Sequence, residues 1–396
     1  MRAVRRQCDT SRSVRILDTR GRCATSAWPT RDTLASAGAI VLFSFALGVS
    51  NLALPLVALA AGYSPAQVGL LTGVSAVAQL LVRATIPALS RRFADRSLVS
   101  ASAGLIAASC ATVAVSTAVV PFVVAELLQG AARGYFWSGS QLHAVRTSGS
   151  ALKGIARMNL LSSAGFLAGP ITAGALAGHS HVTALVLAAV LAGLGTCVAL
   201  LMTRLPILGG ALEAGAERLW RRPAVIRASV ASAGGGAWNA LVVSYVPIIL
   251  AAEQPPVMVG LLVAAANAAH ITASAAVALI HPDRVAGWLV VGTVANGLGL
   301  ALVAPAAPYA PMAAAALVVC GLGSGMLLTL GPALAAEVVS DDQRAGAIAV
   351  TGASRAAGML MAPLALAAAV TVMPLAAAMA AMGCVLGVPV RIRRTR

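Results

Sequence analysis

The sequence predicts an all-α integral membrane protein: twelve transmembrane helices in two pseudo-symmetric six-helix bundles, with both termini in the cytoplasm. Its composition, the placement of its basic residues and an internal repeat carry that prediction. Hydrophobic residues make up 59% of the 396 and charged residues 10%, against roughly 25% charged in a soluble globular chain. A fold in water would lack polar surface. Apolar runs of about twenty residues, the length that crosses a bilayer, recur from Leu34 to Val390 with short breaks.

Spans are expected near residues 34–60, 66–89, 98–116, 119–140, 155–177 and 182–203, then 228–251, 256–280, 285–305, 311–336, 346–369 and 372–390. Arginine and lysine occupy alternate loops: Arg91, Arg92 and Arg96; Arg146 and Lys153; Arg204, Arg218, Arg221 and Arg222; Arg284; Arg344. The loops around Tyr63, Thr117, His179, Gln254, Pro308 and Met373 hold neither. The positive-inside rule therefore sets the basic loops and both termini on the cytoplasmic side of the cell membrane.

The second half repeats the first. Val68-Gly69-Leu70-Leu71, opening helix 2, recurs as Val259-Gly260-Leu261-Leu262, opening helix 8. In the same register Gly130 and Gly134 of helix 4 fall on Gly321 and Gly325 of helix 10, and nearly so Gly165 and Pro170 of helix 5 on Gly358 and Pro363 of helix 11. Residues 34–204 and 228–390 thus read as the two bundles, joined by a charged cytoplasmic linker, 205–227. Residues 1–33, with eight arginines and no signal-peptide core, read as a disordered cytoplasmic tail, and 391–396 as a second basic tail. Duplicated bundles suit a transporter whose small-molecule site lies between halves that rock about it.

Several function classes are excluded. The net charge of +16 comes from tails and loops, not one domain-sized patch, which argues against nucleic acid. The six cysteines show no CxxC spacing, so neither a disulfide framework nor a metal site is expected. Lys153 is the only lysine and is followed by Gly154 and Ile155, so no P-loop for ATP exists. The histidines are scattered, without the carboxylate cluster of a membrane enzyme. No cofactor is expected, and energy must come from a gradient or an outside partner.

Of twelve acidic residues only Glu126 lies well inside a span. A charge at a helix centre costs roughly 2.5–3.5 kcal/mol on insertion scales, so Glu126 should face a watery cavity, pair with a cation or hold a proton. Arg133 lies on the same helical face about 10 Å closer to the cytoplasm. Arg133 and Arg355 either meet an anionic group on the substrate or, respectively, snorkel and bond to backbone carbonyls. Arg83, one turn before Pro87, reads as snorkelling. His270 and Asn267 share one face of helix 8, where the histidine either relays protons or bonds between helices. Asn51, Asn239 and Trp238, with Tyr135, Phe136 and Trp137, are further polar and apolar candidates, unless the asparagines bond between helices and Tyr135 and Trp137 anchor at the membrane interface.

Three segments carry a family resemblance. They are the loop Pro87–Arg96 (PALSRRFADR), the helix 5 stretch Gly165–Gly174 (GFLAGPITAG) and Glu126-Leu-Leu-Gln129-Gly130 in helix 4. They resemble the major facilitator superfamily, whose loop motif is G-x-L-x-D-R-x-G-R-R, whose drug:proton antiporters carry G-x-x-x-G-P-x-x-G-G in helix 5, and whose helix 4 carries R-x-x-Q-G. Arg91 stands where the family has Asp, Asp95 where it has Arg, and Glu126 where it has Arg. The resemblance implies the major facilitator fold, with helices 1, 4, 7 and 10 lining the cavity.

On this reading the chain is a monomeric secondary transporter that exports a small amphipathic molecule in exchange for protons. Proton coupling falls to Glu126, Arg133 and His270, and the substrate cavity to Asn51, Gln129, Trp238, Asn239, Asn267 and Arg355. Gating and helix packing fall to Arg91, Arg92, Asp95, Arg96, Gly165, Gly169, Pro170 and Gly174, with Asp341 or Asp342 facing Arg91 or Arg92 across the cytoplasmic gate. The alternatives are uptake of a nutrient or organic anion, and a polytopic membrane enzyme.

Overall fold

The computed structural model describes residues 31–89, 92–147, 151–177, 180–205, 219, 221–277, 280–281, 284–339 and 344–389. Among them are twelve helices: α1 (Arg31–Ala60), α2 (Pro65–Leu89), α3 (Asp95–Val115), α4 (Val119–Thr147), α5 (Ala151–Ala177), α6 (His181–Leu200), α7 (Pro223–Ala251), α8 (Pro256–Ala276), α9 (Val285–Ala306), α10 (Ala310–Glu337), α11 (Arg344–Ala369) and α12 (Leu375–Leu386). Ten are long and apolar enough to cross a membrane. The other two are α4, whose apolar run is interrupted by Glu126, Arg133 and Arg146, and α12, which is short.

Several helices outrun their apolar spans on the side of the basic loops. α4 continues to Thr147, seven residues past the expected 140, and α3 begins at Asp95 instead of 98. Polarity ends a lipid-facing run, but the backbone ladder continues wherever polar side chains find partners. α7 starts at Pro223, a residue pre-set for the first helical position.

The halves pack alike. α1 lies on α5, α2 on α4, and α3 on α4 and α6; α7 lies on α11, α8 on α10, and α9 on α10 and α12. The glycines make this possible. A Cβ on Gly130 would strike the Ser75 carbonyl oxygen, and one on Gly321 would strike that of Ala266, the matching position of the repeat. Small residues at such crossings let helix backbones approach closely where lipid supplies no hydrophobic drive. Outward, α6 shows lipid a row one turn apart (Val182, Val186, Val190, Leu194), and α9 does so with Val291, Val294, Leu298 and Leu302.

Two symmetry-related seams join the bundles, α5 against α8 and α2 against α11. Their tightest approaches lie towards the face formed by loops lacking Arg and Lys, hereafter the neutral face. There Gly174 meets Pro256 and Gly260, Gly260 meets the Pro170 carbonyl and Gly73 meets Leu364, while beside the second seam Gly69 of α2 meets the Tyr245 ring of α7. The helix 5 glycines therefore serve two partners, because Gly165 and Gly169 pack on Ser44 and Gly48 of α1 within their own bundle.

Candidate functional site

Glu126 sits about two turns into α4 from the neutral face, 8% exposed. It forms no ion pair among the described residues, although Arg133 and Ser75 lie close enough to act on it. Arg133 turns to neutral acceptors instead: Nη2 donates to Asn51 Oδ1 at 2.8 Å and Nη1 to Ser75 Oγ at 3.4 Å. Gln129, fully buried, donates through Nε2 to Ser50 Oγ at 3.1 Å and leaves its Oε1 unpartnered. One polar cluster thus ties α1, α2 and α4 around a cavity of about 20 Å³ that Asn51, Glu126, Arg133, Phe122 and Val243 help to line. That is room for a single water, in contact with the acid, the guanidinium and, through Val243, the other bundle.

The C-terminal half holds a different set. Trp238 on α7, 1% exposed, stacks on the His270 ring of α8 (centroids 4.9 Å apart, planes 8° apart) and donates Nε1–H to Cys320 Sγ on α10 at 3.2 Å. His270 Nδ1 is buried without a partner, as is Arg355 Nε on α11. Asn267 reaches across the seam to the Phe166 carbonyl of α5 at 3.3 Å, and Asn239 is half-buried on α7. Among the aromatic candidates, Phe136 is fully buried against Phe43 (3.7 Å, 9°) and so packs α4 on α1 within the bundle. Trp137 lies beside Phe136 and Phe166.

At the opposite, basic face a third cluster joins α1, α3 and α4. His143 Nδ1 faces Asp95 Oδ2 at 3.0 Å and its Nε2 faces Asp32 Oδ2 at 3.1 Å; Arg146 lies 3.7 Å from Asp95. Asp32 also accepts from the Thr203 backbone N–H, while Arg96 Nη1 donates to the Met202 carbonyl at 3.3 Å. Asp95 and Arg96 accordingly bind helices of their own bundle. Two carboxylates facing both ring nitrogens call for a doubly protonated imidazolium. His143 lies beyond the apolar span of α4, and although burial lowers its pKa, the Asp95 and Asp32 carboxylates outweigh that and raise it above the ordinary value. Arg92 is exposed; Arg91, Asp341 and Asp342 fall outside the described residues, and with them the expected gate pairing.

Sequence reasoning did not pick out Ser50, Ser75, Asp32 or His143. The serines carry no signal of their own in a membrane helix. His143 could have been found from two acids and a histidine lying at the basic ends of neighbouring helices.

A profile of the Major Facilitator Superfamily matches residues 36–363. The chain belongs to the major facilitator superfamily. It is a multi-pass membrane protein and a secondary transporter, not an enzyme. Solved structures share its fold. A mutant of the nucleoside transporter NupG aligns over 89% of this chain and 97% of its own at 13% identity, with a TM-score of 0.77. A POT family transporter in complex with a thioalcohol-conjugated peptide aligns over 89% of this chain and 93% of its own at 11% identity, TM-score 0.72. A bacterial homologue of the human lysosomal transporter Spinster aligns over 92% and 94% at 14% identity, TM-score 0.65. No curated protein matches this superfamily member by sequence.

Proposed function

We propose that this transporter exports a small amphipathic molecule across the cell membrane in exchange for protons, as a monomer, with Glu126 as the proton-carrying group. The observation that carries the reading is Glu126 itself: a buried carboxyl without an ion pair among the described residues, beside a water-sized cavity that reaches the other bundle. A group so placed is neutral when protonated and charged when not. Arg133 favours the charged form, and the hydrocarbon around it the neutral one. Alternating access then lets Glu126 take its proton from one side and release it on the other.

The neutral face is external under the positive-inside rule, and the tight α5–α8 and α2–α11 approaches towards it agree with a state closed on the outside. Export agrees with the helix 5 stretch Gly165–Gly174, which resembles that of the drug:proton antiporters. Uptake of an organic anion is a second reading, favoured because neither Arg133 nor Arg355 has an acidic ion-pair partner among the described residues.

Counterflow and pH-gradient-driven transport in liposomes test the coupling. Glu126→Gln protein should still exchange substrate down its own gradient but lose uphill transport driven by a proton gradient. Full proton-driven accumulation by that variant removes Glu126 from the role. Transport direction in oriented vesicles separates export from uptake.

A further inference from the structure

Basic side chains gather at one level of the membrane domain. Arg133, His270 and Arg355 each lie fourteen residues from the neutral-face ends of their helices (Val119, Pro256 and Ala369), a depth of ~21 Å at 1.5 Å per residue. Arg83, counted from Pro65 on α2, lies ~27 Å deep. The mid-span carboxylate, Glu126, lies ~10 Å nearer the neutral face, beside Arg133 and Ser75. Among the described residues Arg83, Arg355 and His270 have no ion-pair partner.

These three groups also converge. α2 packs on α11 across the bundle seam, and Arg83 and Arg355 are close enough to repel each other. Arg355 is likewise close enough to His270 for their charges to interact. Gly236 lets α7 press against the Arg355 carbonyl, and Gly325 lets α10 press against that of His270, so both backbones are fixed. Trp238 covers one face of the imidazole. Yet Arg355 Nε and His270 Nδ1 are buried without hydrogen-bond partners, and neither arginine has an ion pair among the described residues. Two like charges held together with donors unspent have a simple complement, since buried polar groups are paired in nearly every stable structure.

We propose that Arg83 and Arg355, with His270 protonated at Nδ1, form the anion-binding pole of the substrate site, and that the transported compound is an organic anion held there by its carboxylate or phosphate. This deepens the transporter reading above and rests on it. The arginines come from opposite bundles, so a bound anion replaces repulsion across the α2–α11 seam with two charge-assisted contacts. Occupancy then draws the bundles together on the basic side, which couples binding to the change of access.

The test is equilibrium binding to the purified full chain in phosphatidylcholine nanodiscs, read as the ligand-dependent rise in Tm. The probes are benzoate, 2-naphthoate and phenyl phosphate, each against benzamide as the neutral comparison. At least one anion should stabilise the protein where benzamide does not, and Arg355→Gln and Arg83→Gln should each weaken that anion by about tenfold or more. Arg355→Lys, which keeps the charge, should retain part of the affinity. If Arg355→Gln does not yield monodisperse protein, Arg83→Gln reads the same site.

The proposal is overturned if none of the anions binds, if benzamide binds as well, or if the arginine variants bind the anion unchanged. Displacement of the anion by phosphatidylglycerol added to the nanodisc assigns the cradle to a lipid headgroup and overturns it equally. Because this assay reads binding without a gradient, its failure leaves the Glu126 coupling test standing, and the reverse.

Discussion

Placing alanine at Gly174 asks whether the contact of α5 with α8 is one side of a conformational equilibrium. The added methyl would lie 2.5 Å from the Pro256 carbonyl oxygen and 3.0 Å from Gly260 Cα. Carbon–oxygen contacts between helices settle near ~3.3–3.6 Å, so the two helices must part by about 1 Å. Overpacking of this kind costs about 1–3 kcal/mol, and the cost falls on the conformation in which α5 and α8 touch. Relative to a conformation with those ends apart, its population should drop by about 5- to 150-fold.

Ala58, near the neutral end of α1, supplies the readout. It is 1% exposed and lines the cavity beside Glu126. In a cysteine-free background carrying Ala58→Cys, a membrane-impermeant maleimide applied from the neutral face should react slowly. Gly174→Ala should raise that rate by the factor above, up to the point where the open form predominates. Gly193→Ala is the control, since its methyl meets nothing within 4 Å. An unchanged rate in correctly folded Gly174→Ala protein refutes the idea that this contact closes the neutral face.

Other substitutions probe the packing and the polar clusters. Gly130→Ala and Gly321→Ala each drive a methyl into a carbonyl oxygen of the adjoining helix and should lower the Tm of the detergent-solubilised protein, whereas Gly287→Ala, which meets nothing within 4 Å, should not. Asn51→Ala removes the 2.8 Å acceptor of Arg133 and should destabilise by about 1–3 kcal/mol, with Asn51→Asp recovering stability by supplying a charged acceptor; equal Tm values for all three proteins contradict the contact. The His143 pKa is raised in the fold, so its contribution to stability is full below the unfolded value, about 6.5, and lost as pH climbs through the folded value. Wild-type Tm should therefore fall between mildly acidic and alkaline pH, and His143→Gln should flatten that part of the profile.

Fold and site differed in how far they could be read from sequence. Twelve helices followed from hydropathy, and their arrangement from glycines that recur in register, since the same close crossing is needed in both halves. The ends were harder to place. His143 and Arg146 halt an apolar run, but Asp32 and Asp95 satisfy them, and α4 continues to Thr147. Glu126 and Arg133 stood out because charge is rare in lipid. Their relation did not, because their spacing says nothing of Asn51 and Ser75, which reach Arg133 from other helices. Arg83 shows the limit most plainly. Near a helix end it reads as a snorkelling side chain, and only the packing of α2 on α11 sets it against Arg355.

The repeat also separates what the scaffold needs from what it carries. In the register that superposes Gly130 on Gly321 and Gly134 on Gly325, Glu126 falls on Leu317, Arg133 on Ser324 and Gln79 on His270. Leu317 is fully buried at its place in α10, so the fold can fill that position with a plain apolar side chain. An acid at the equivalent place in α4 therefore answers no packing requirement, and its desolvation is a cost the architecture does not impose. The same holds for His270, whose counterpart Gln79 is buried and uncharged. Packing glycines repeat between the halves and the charges inside the spans do not. On the two proposals above, a lone acid in one bundle and cations along the seam that have no ion pair among the described residues divide the site into a proton-binding half and an anion-binding half, so Glu126→Gln and Arg355→Gln should be separable lesions, one of coupling and one of affinity.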